Sequence, residues 1–363
     1  LGMFGIGMKR AVFKMGTTIH FVTKNDTQAF QVHINEDWLE QDNNWDLAMD
    51  FIDYENVEAT GTQIYVSGLM PGIKERFSSN SGFEGELYAK ISTHYANLIK
   101  KGLSVFLNEV EVKPINLSFL FSEEIQPYYY QELKDDLTIK VTVGISSHAK
   151  DESVQEVSDE PDDDKVNKKS HAGWTILCND RVVLYADRTR LTGWEDTLPR
   201  FHYQYNNLIG VVEFTSKEAH LLPVTTTKRG VDSSSDVYLR VKKRMKDGMK
   251  KFISYTNKWK NKKEEERSKV LSKTNTVSLL QLQKKVSTQN LSSTKDSSGG
   301  EFFSPTLPLP PNSNSTTKTM RFSEEIEDIK TVAEYLFEDR EYNSNDVAKE
   351  CFRIILDEVK DGK

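Results

Sequence analysis

The sequence predicts an α/β protein of two successive units, followed by a small helical segment, and three observations predict this class. First, a glycine-rich run opens a helical pattern and precedes three short segments rich in strand-forming residues. Second, a later stretch follows the order strand, hairpin, strand, basic loop and helix. Third, residues 320–363 contain two amphipathic helical patterns. We expect the first unit to be an antiparallel-rich sheet with helices on one face.

A phosphate-binding helix start is predicted at the beginning of the chain. Gly2, Gly5 and Gly7 stand directly before apolar residues spaced i, i+3, i+4 and i+7 from Met8, which is the pattern of one buried helix face. Glycines leave the backbone N–H groups of a helix N-terminus open to an anion, and Lys9 adds positive charge there. The alternative is a tight glycine turn before an ordinary core helix.

Two common phosphate motifs do not fit this run. The P-loop places Lys and then Ser or Thr after its last glycine, whereas Met8 follows Gly7 here. The dinucleotide fingerprint follows a strand and reads G-x-G-x-x-G, whereas this run reads G-x-x-G-x-G. The run from Phe4 to Lys9 instead resembles the second glycine box of the GHKL ATPases (gyrase, heat-shock chaperone, histidine kinase and MutL relatives), and most of all the MORC and heat-shock chaperone branches.

This resemblance implies that the run forms the lid over the phosphates of ATP. It also matches the Gly61-Thr62 strand start to the place where that family has a threonine near the base. The fold implied is part of an α+β sandwich of the GHKL type. The residues implied to contact the nucleotide are Gly2, Phe4, Gly5, Ile6, Gly7, Met8, Lys9 and Thr62.

Other parts of the family's site are not found in this sequence. An intact GHKL domain has, upstream of the glycine box, a helix with a catalytic Glu and a magnesium-binding Asn, and then an Asp-x-Gly-x-Gly loop. No Asp-x-Gly-x-Gly occurs in this chain. We therefore expect an N-terminally truncated fragment that binds ATP poorly and hydrolyses none alone. The cofactors of the intact protein are expected to be ATP and Mg²⁺, with the Mg²⁺ ligand upstream.

A second unit is predicted to follow the first, which spans residues 1–80. Residues 81–262 contain a helix from about Glu84, a hairpin around Asn108, strands near 139–145, 173–178, 181–185 and 208–214, and a helix starting after Ser235. This order resembles the transducer domain of the family, a ribosomal-protein-like βαβ module. Residues 150–170 interrupt it with an acidic insertion that we expect to be disordered.

The resemblance implies a catalytic role for Lys228, in the loop before the last helix, because a transducer lysine there reaches the γ-phosphate of ATP. Arg229 is the second candidate if the loop is shifted by one residue, and a solvated loop lysine is the alternative. The helix that follows is strongly basic, with eleven Lys and Arg against one acid in residues 240–263. Such a run is usually a solvated face, but nucleic acid binding through its lysines is the alternative. The lysines concerned are Lys242, Lys243, Lys246 and Lys250.

The rest of the chain is expected to hold a polar helix and low-complexity linker (263–319) and a helical hairpin (320–363) whose helices are capped by Ser323 and Ser344. The net charge is −7, and the two cysteines are too few and too far apart for a disulfide framework or a zinc site. With no apolar run of membrane-spanning length, we expect a cytoplasmic protein.

Two classes of function follow from these observations. The GHKL resemblance favours part of an ATP-gated, homodimerising clamp or chaperone-like ATPase. A sensor kinase is disfavoured because about 170 structured residues follow the first unit, and a topoisomerase because no cleavage domain is discernible. The alternative is a non-enzymatic interaction or nucleic-acid-binding module that uses the basic helix.

Overall fold

The computed structural model describes residues 7–41, 46–57, 59–150, 171–260, 264–286, 291–294, 299–310 and 323–362. The chain forms two compact units, Leu1–Pro310 and Pro311–Lys363. Four residues of the predicted glycine box (Gly2, Phe4, Gly5 and Ile6) and residues 151–170 of the acidic insertion lie outside the described residues. In the described ranges, no helix is long and apolar enough to cross a membrane.

The first unit begins with a helix packed on a small antiparallel sheet, as the sequence predicts. The strands lie in the order β3-β2-β1-β4, and each pairs antiparallel with its neighbours. Val12 of the first helix packs against Ile19 and Ile34, which are 0% and 4% exposed. The elements are α1 (Gly7–Met15), β1 (Gly16–Lys24), β2 (Ala29–Ile34), α2 (Glu36–Leu39), β3 (Asp50–Ile52) and β4 (Gly61–Leu69).

Three helices, the short strand pair β5–β6 and the strand β7 connect this sheet to a larger one. They are α3 (Pro71–Arg76), α4 (Phe83–His94), α5 (Ala96–Lys100), β5 (Phe106–Leu107), β6 (Val110–Glu111) and β7 (Ser118–Phe121). The larger sheet and its covering elements are β8 (Tyr128–Lys134), β9 (Leu137–Ile145), β10 (Gly173–Cys178), β11 (Arg181–Asp187), β12 (Leu208–Ser216), α6 (Asp236–Trp259), α7 (Glu264–Ser272), β13 (Asn275–Ser278), α8 (Leu279–Val286), β14 (Ser292–Ser293) and β15 (Glu301–Phe303).

The large sheet has the strand order β11-β10-β12-β9-β8-β15-β14, and only the β10–β12 pair is parallel. The helix α6 covers one face, where Val241, Met245 and Phe252 are all 0% exposed. A second apolar cluster covers the other face with Phe119 of β7 and Leu282 of α8. Both faces of the sheet are therefore buried by this chain, and β13 adds to β7 at the side.

A single glycine allows α6 to lie close to the sheet. A Cβ built on Gly248 would lie 2.5 Å from a ring carbon of Tyr128 and 2.8 Å from a methyl group of Val143. Real Cβ atoms do not approach other atoms so closely, so the helix would have to move outward to accommodate any side chain. Gly248 therefore fixes the distance between the helix and strands β8 and β9.

Part of the expected linker is instead an edge of the large sheet. The strand β15 pairs with β8, Phe302 and Leu307 pack against the main core, and the indole N–H of Trp259 donates to the carbonyl of Pro308 at 3.2 Å. The prediction of a linker through residues 299–310 is wrong because a few apolar residues within a polar, proline-rich composition suffice to dock the segment.

The compact unit Pro311–Lys363 contains α9 (Ile326–Phe337) and α10 (Ser344–Asp361). Both predicted caps are wrong by one or a few residues. Glu325 occupies the cap position of α9, and the side chain of Glu325 makes no capping bond. Ser323 lies two residues before this position. Asn343 rather than Ser344 caps α10, because its Oδ1 accepts from the N–H of Asn345 at 2.9 Å.

Candidate functional site

The start of α1 is open in the described structure. Gly7 is its first residue, and Met8, Lys9 and Arg10 are exposed. A Cβ built on Gly7 would meet no atom of the described residues within 4 Å. Packing within the described chain therefore does not require glycine at this position. The first N–H groups of a helix have no partner within the helix, and together with the cationic first turn of α1 they favour an anion.

The helix α1 covers only part of its face of the small sheet. Ile19, in the first half of β1, is 0% exposed and packs against Val12. Side chains two residues apart point to the same face of a strand, so Phe21 and Thr23 share the face of Ile19. The cross-strand partners of Phe21 and Thr23 on β4 are Ile64 and Thr62. Thr62 thus lies on the same face as α1, at the opposite end of the sheet from the end of the helix.

Two threonine hydroxyls form a polar pair at that end of the face. Oγ1 of Thr23 lies 2.8 Å from Oγ1 of Thr62, and the Thr23 hydroxyl also contacts the carbonyl of Gly61 at 3.1 Å. Thr62 is exposed, and Thr23 is partly buried. The sequence singled out Thr62 alone, and Thr23 follows only from the strand register, although its alternation with Ile19 and Phe21 was visible.

An apolar surface lies next to the hydroxyl pair. Ile64 is 43% exposed, and Phe51, which pairs with Phe30 on the same face, is 66% exposed. Phe51 and Ile64 lie on the two edge strands, β3 and β4, and their exposure makes this end of the face suited to a flat apolar ligand or a covering segment. Together, the open helix start, the apolar surface and the hydroxyl pair form one face, which we call the helix face of the small sheet.

Lys228 belongs to a different element, a tight turn in front of α6. The backbone N–H of Lys228 donates to the carbonyl of Thr225 at 2.8 Å, and Thr225 in turn donates to Gly230 at 3.1 Å. Lys228 is half-buried with φ +55°, in the left-handed region that glycine adopts at lower cost, by roughly 1 kcal/mol. A lysine at this position is therefore not explained by backbone conformation. Arg229 beside it is exposed.

Burial and hydrogen bonds fix the residues that follow this turn. Val231 is 6% exposed in the main core, and the N–H of Asp232 donates to the carbonyl of Pro223 at 3.1 Å. The hydroxyl and the backbone N–H of Ser234 both donate to Asp232, which holds the pKa of that carboxyl below its usual value. Ser235 then caps α6 by accepting from the N–H of Tyr238 at 3.2 Å, and the helix begins where the sequence predicts.

The four lysines proposed for nucleic acid contact do not share one environment. Nζ of Lys242 donates to the carbonyl of Arg190 at 2.8 Å, and Lys246 pairs with Asp196 at 2.8 Å. Burial, followed by the neighbouring ammonium of Lys246, lowers the pKa of Lys242. Only Lys243 and Lys250 are exposed. The prediction that all four face solvent is therefore wrong for two of them, because partners about 50 residues away in sequence bind them.

The described residues contain no group of three or more His, Cys, Asp or Glu side chains arranged to hold a metal ion. The N–H groups, hydroxyls and apolar side chains of the candidate site fit phosphate and a flat base better than they fit Mg²⁺. We assign Mg²⁺ no ligand among the described residues. Both cysteines are free, and burial raises the pKa of the Cys178 thiol to about 12, so this thiol stays protonated and unreactive at neutral pH.

Comparisons with known proteins give structural matches only. No protein-family model and no curated protein matches the chain. The chain is similar to the B subunit of DNA gyrase from Myxococcus xanthus, with 9% identity, a TM-score of 0.33, and coverage of 64% of this chain and 66% of that one. It is also similar to the 43K ATPase domain of Thermus thermophilus gyrase B in complex with an aminocoumarin, with 10% identity, a TM-score of 0.31 and 69% coverage of each chain.

A third match is the Aquifex aeolicus MutL ATPase domain complexed with ADP, with 8% identity, a TM-score of 0.28, and coverage of 60% of this chain and 74% of that one. Because these scores describe partial similarity at low identity, the functional argument rests on the residues of this chain. The solved structures to which the chain is similar are thus a gyrase B subunit, a gyrase B ATPase domain and a MutL ATPase domain.

Proposed function

We propose that this chain carries the phosphate lid and the transducer lysine of an ATP-binding protein of the GHKL kind, part of an ATP-gated, dimerising clamp or chaperone-like ATPase. The observation that carries the proposal is the open start of α1. The first helical residue is a glycine that packing within the described chain does not require. This glycine lies in the cationic first turn of α1, and α1 covers only part of its face of the small sheet.

Different residues of this face contact different parts of the nucleotide. The backbone N–H groups from Gly7 onward and the ammonium of Lys9 bind the phosphates, because a helix start and a cation both favour anions. The apolar side chains near Ile64 contact the flat base. The hydroxyl pair of Thr23 and Thr62 donates and accepts hydrogen bonds at the edge of the base. The sequence of this glycine box resembles that of MORC and heat-shock chaperone relatives.

Lys228 is proposed to act on the γ-phosphate. Its ammonium stabilises the negative charge that develops as the bond to the leaving phosphate loosens. Because the turn of Lys228 is anchored in the core at Val231, the ammonium moves with the second sheet as a rigid body. Closure of this element over the nucleotide then couples the presence of ATP to the arrangement of the protein. Hydrolysis further requires a Mg²⁺ ion and a base, which we place outside this chain.

A pair of matched glycine variants tests the binding part. Gly7→Val places a branched side chain where the phosphates approach, whereas Gly72→Val makes the same change near the start of α3, where a Cβ also meets no described atom within 4 Å. By calorimetry on the full-length protein, we expect Gly7→Val to abolish measurable ATP binding and Gly72→Val to leave it unchanged. Equal affinity in both variants would favour the alternative, an interaction module in which α1 is only scaffold.

Turnover in the full-length protein tests the role of Lys228. Removing one preorganised charge of this kind costs about 3 kcal/mol, or two to three decades in rate. We expect Lys228→Ala to lose turnover to this extent at saturating ATP with little change in ATP affinity, since other groups hold the nucleotide. Arg229→Ala is the matched control, and indistinguishable rates for both variants and wild type would remove this turn from the mechanism.

A further inference from the structure

A pocket of about 520 Å³ lies between α6 and the strand β15 of the large sheet. Tyr128 of β8 and Phe302 of β15 contribute the aromatic part of its lining. Phe302 pairs with Tyr130, two residues after Tyr128, so both rings lie on the sheet face that α6 covers. Pockets of about 300–1,000 Å³ hold small organic ligands. This pocket is therefore large enough for such a ligand, and none of its lining residues belongs to the helix face of the small sheet.

The side of this pocket that α6 contributes is mostly cationic. Arg244, Lys250 and Lys251 provide three positive charges, and Asp247 provides the one carboxylate among the described residues that line it. The resulting net charge of +2 contrasts with −7 for the whole chain. Both lysines are exposed, and neither ammonium forms an ion pair with a described residue. Because a concave, positively charged surface raises the local concentration of anions, we expect the ligand to be an anion.

Two hydrogen-bond donors are recessed in this pocket. The Arg244 side chain is 15% exposed, its guanidinium carbon lies 5.4 Å from the centroid of the Tyr130 ring, and it pairs with Asp247 at the long distance of 3.8 Å. Tyr128 is 3% exposed, and its hydroxyl makes no hydrogen bond with the residues that the structure describes. Burial raises the pKa of this phenol, so it stays protonated and can donate. Because buried phenols usually have a partner, an acceptor in the pocket would satisfy the Tyr128 hydroxyl.

From these observations we propose that the pocket binds a phosphate monoester of an aromatic compound. Such a phosphate group carries a charge of about −1.5 to −2 at neutral pH, which matches the charge of the lining. It binds to Arg244, Lys250 and Lys251, because guanidinium and ammonium groups form strong, charge-assisted hydrogen bonds with phosphate. The Tyr128 hydroxyl donates to a phosphate oxygen, and the aromatic part of the ligand contacts Phe302.

Two observations favour a small ligand over nucleic acid. The guanidinium of Arg244 and the hydroxyl of Tyr128 are recessed, so a terminal phosphate group reaches them more easily than a backbone lying across the surface. A backbone with many phosphates would also meet a protein with a net charge of −7. The pocket belongs to the large sheet, and this interaction is independent of the nucleotide-binding proposal for the small sheet.

Isothermal titration calorimetry of the complete chain with phenyl phosphate tests this assignment. We expect a dissociation constant on the order of 0.1 mM that weakens with added salt. Inorganic phosphate lacks the ring and should bind at least about tenfold more weakly, because it buries no apolar surface. Tyr128→Phe removes only the hydroxyl and should weaken phenyl phosphate binding about tenfold. Lys250→Ala with Lys251→Ala should weaken it at least as much, because both ammonium groups contact the phosphate.

Each of these variants has a matched control. Tyr129→Phe removes a hydroxyl from the opposite face of β8, where it donates to Gln131 at 3.1 Å. Lys217→Ala with Lys273→Ala removes two exposed lysines that do not line the pocket. Both controls should bind phenyl phosphate like wild type. Gly7→Val should do so as well, which separates this pocket from the proposed nucleotide site.

Circular dichroism checks that each variant keeps its secondary structure. The proposal is overturned if phenyl phosphate does not bind, if inorganic phosphate binds as tightly, or if either Tyr128→Phe or the double variant of Lys250 and Lys251 keeps wild-type affinity. Duplex DNA that binds more tightly than phenyl phosphate, and that this double variant releases, would assign the cations to nucleic acid and would overturn it as well.

Discussion

The two sheets of the first unit differ in how completely the described chain covers them. The large sheet has apolar clusters on both faces, and residues such as Val212 and Phe214 are fully buried. The small sheet is covered by α1 at one end of one face, and Phe51 at the other end is 66% exposed. On its opposite face, His20 and His33 stack at 3.9 Å.

This difference separates a structural role from a binding role. A sheet buried on both faces has its side chains committed to packing, and substitutions there change stability. A partly covered sheet keeps apolar and hydroxyl groups available, and substitutions there change what the protein binds. The hypothesis of a nucleotide site at the small sheet therefore makes opposite predictions for the two regions.

The largest expected effect is at a buried ion pair of the large sheet. Arg240 donates to Glu132 at 2.8 Å, and the Glu132 side chain is 0% exposed. Arg240→Ala leaves a buried carboxylate without its cation, which destabilises by about 3–5 kcal/mol in comparable pairs. Because Arg240 is 33% exposed, we expect the lower end of that range in chemical denaturation. A decrease in the free energy of unfolding below about 0.5 kcal/mol, the usual value for surface substitutions, would contradict the burial of this ion pair.

A smaller effect is expected where α6 approaches the large sheet. Gly248→Ala forces a methyl group against Tyr128, and overpacking of this kind destabilises by about 1–3 kcal/mol, partly offset by the better helix propensity of Ala. Gly85→Ala in α4 is the matched control, because its Cβ meets no described atom within 4 Å. We expect that control to be neutral or more stable by up to about 1 kcal/mol. Equal denaturation midpoints for the two variants would contradict the close approach of α6.

Much of this fold could be predicted from the sequence, because most elements have a clear local pattern. The strands β1, β2, β4, β9, β10 and β12, and the start of α6 at Ser235, are confirmed. The strand β8 was not predicted. Tyr128, Tyr129 and Tyr130 are all buried, so the strand lacks the alternation of polar and apolar residues that identifies a half-exposed strand.

The candidate site could be predicted less completely because its parts come together through long-range contacts. Thr62 was identified from its glycine neighbour, but its partner Thr23 is 39 residues away and is revealed only by strand register. In the same way, helical periodicity assigned Lys246 to solvent, whereas it pairs with Asp196, 50 residues earlier. Local patterns predict elements, and tertiary contacts decide which polar groups remain available.

The central claim is that the helix face of the small sheet binds a nucleotide, and an NMR titration of this chain with ATP tests it most directly. We expect weak binding, in the millimolar range, with amide shifts concentrated at Gly7, Lys9, Thr23 and Thr62. Lys9→Glu should abolish these shifts, because it reverses the charge beside the phosphates. The amides of β12 serve as the internal reference and should not move. Shifts confined to α6, or no shifts at the four expected amides at saturating ATP, would contradict the account.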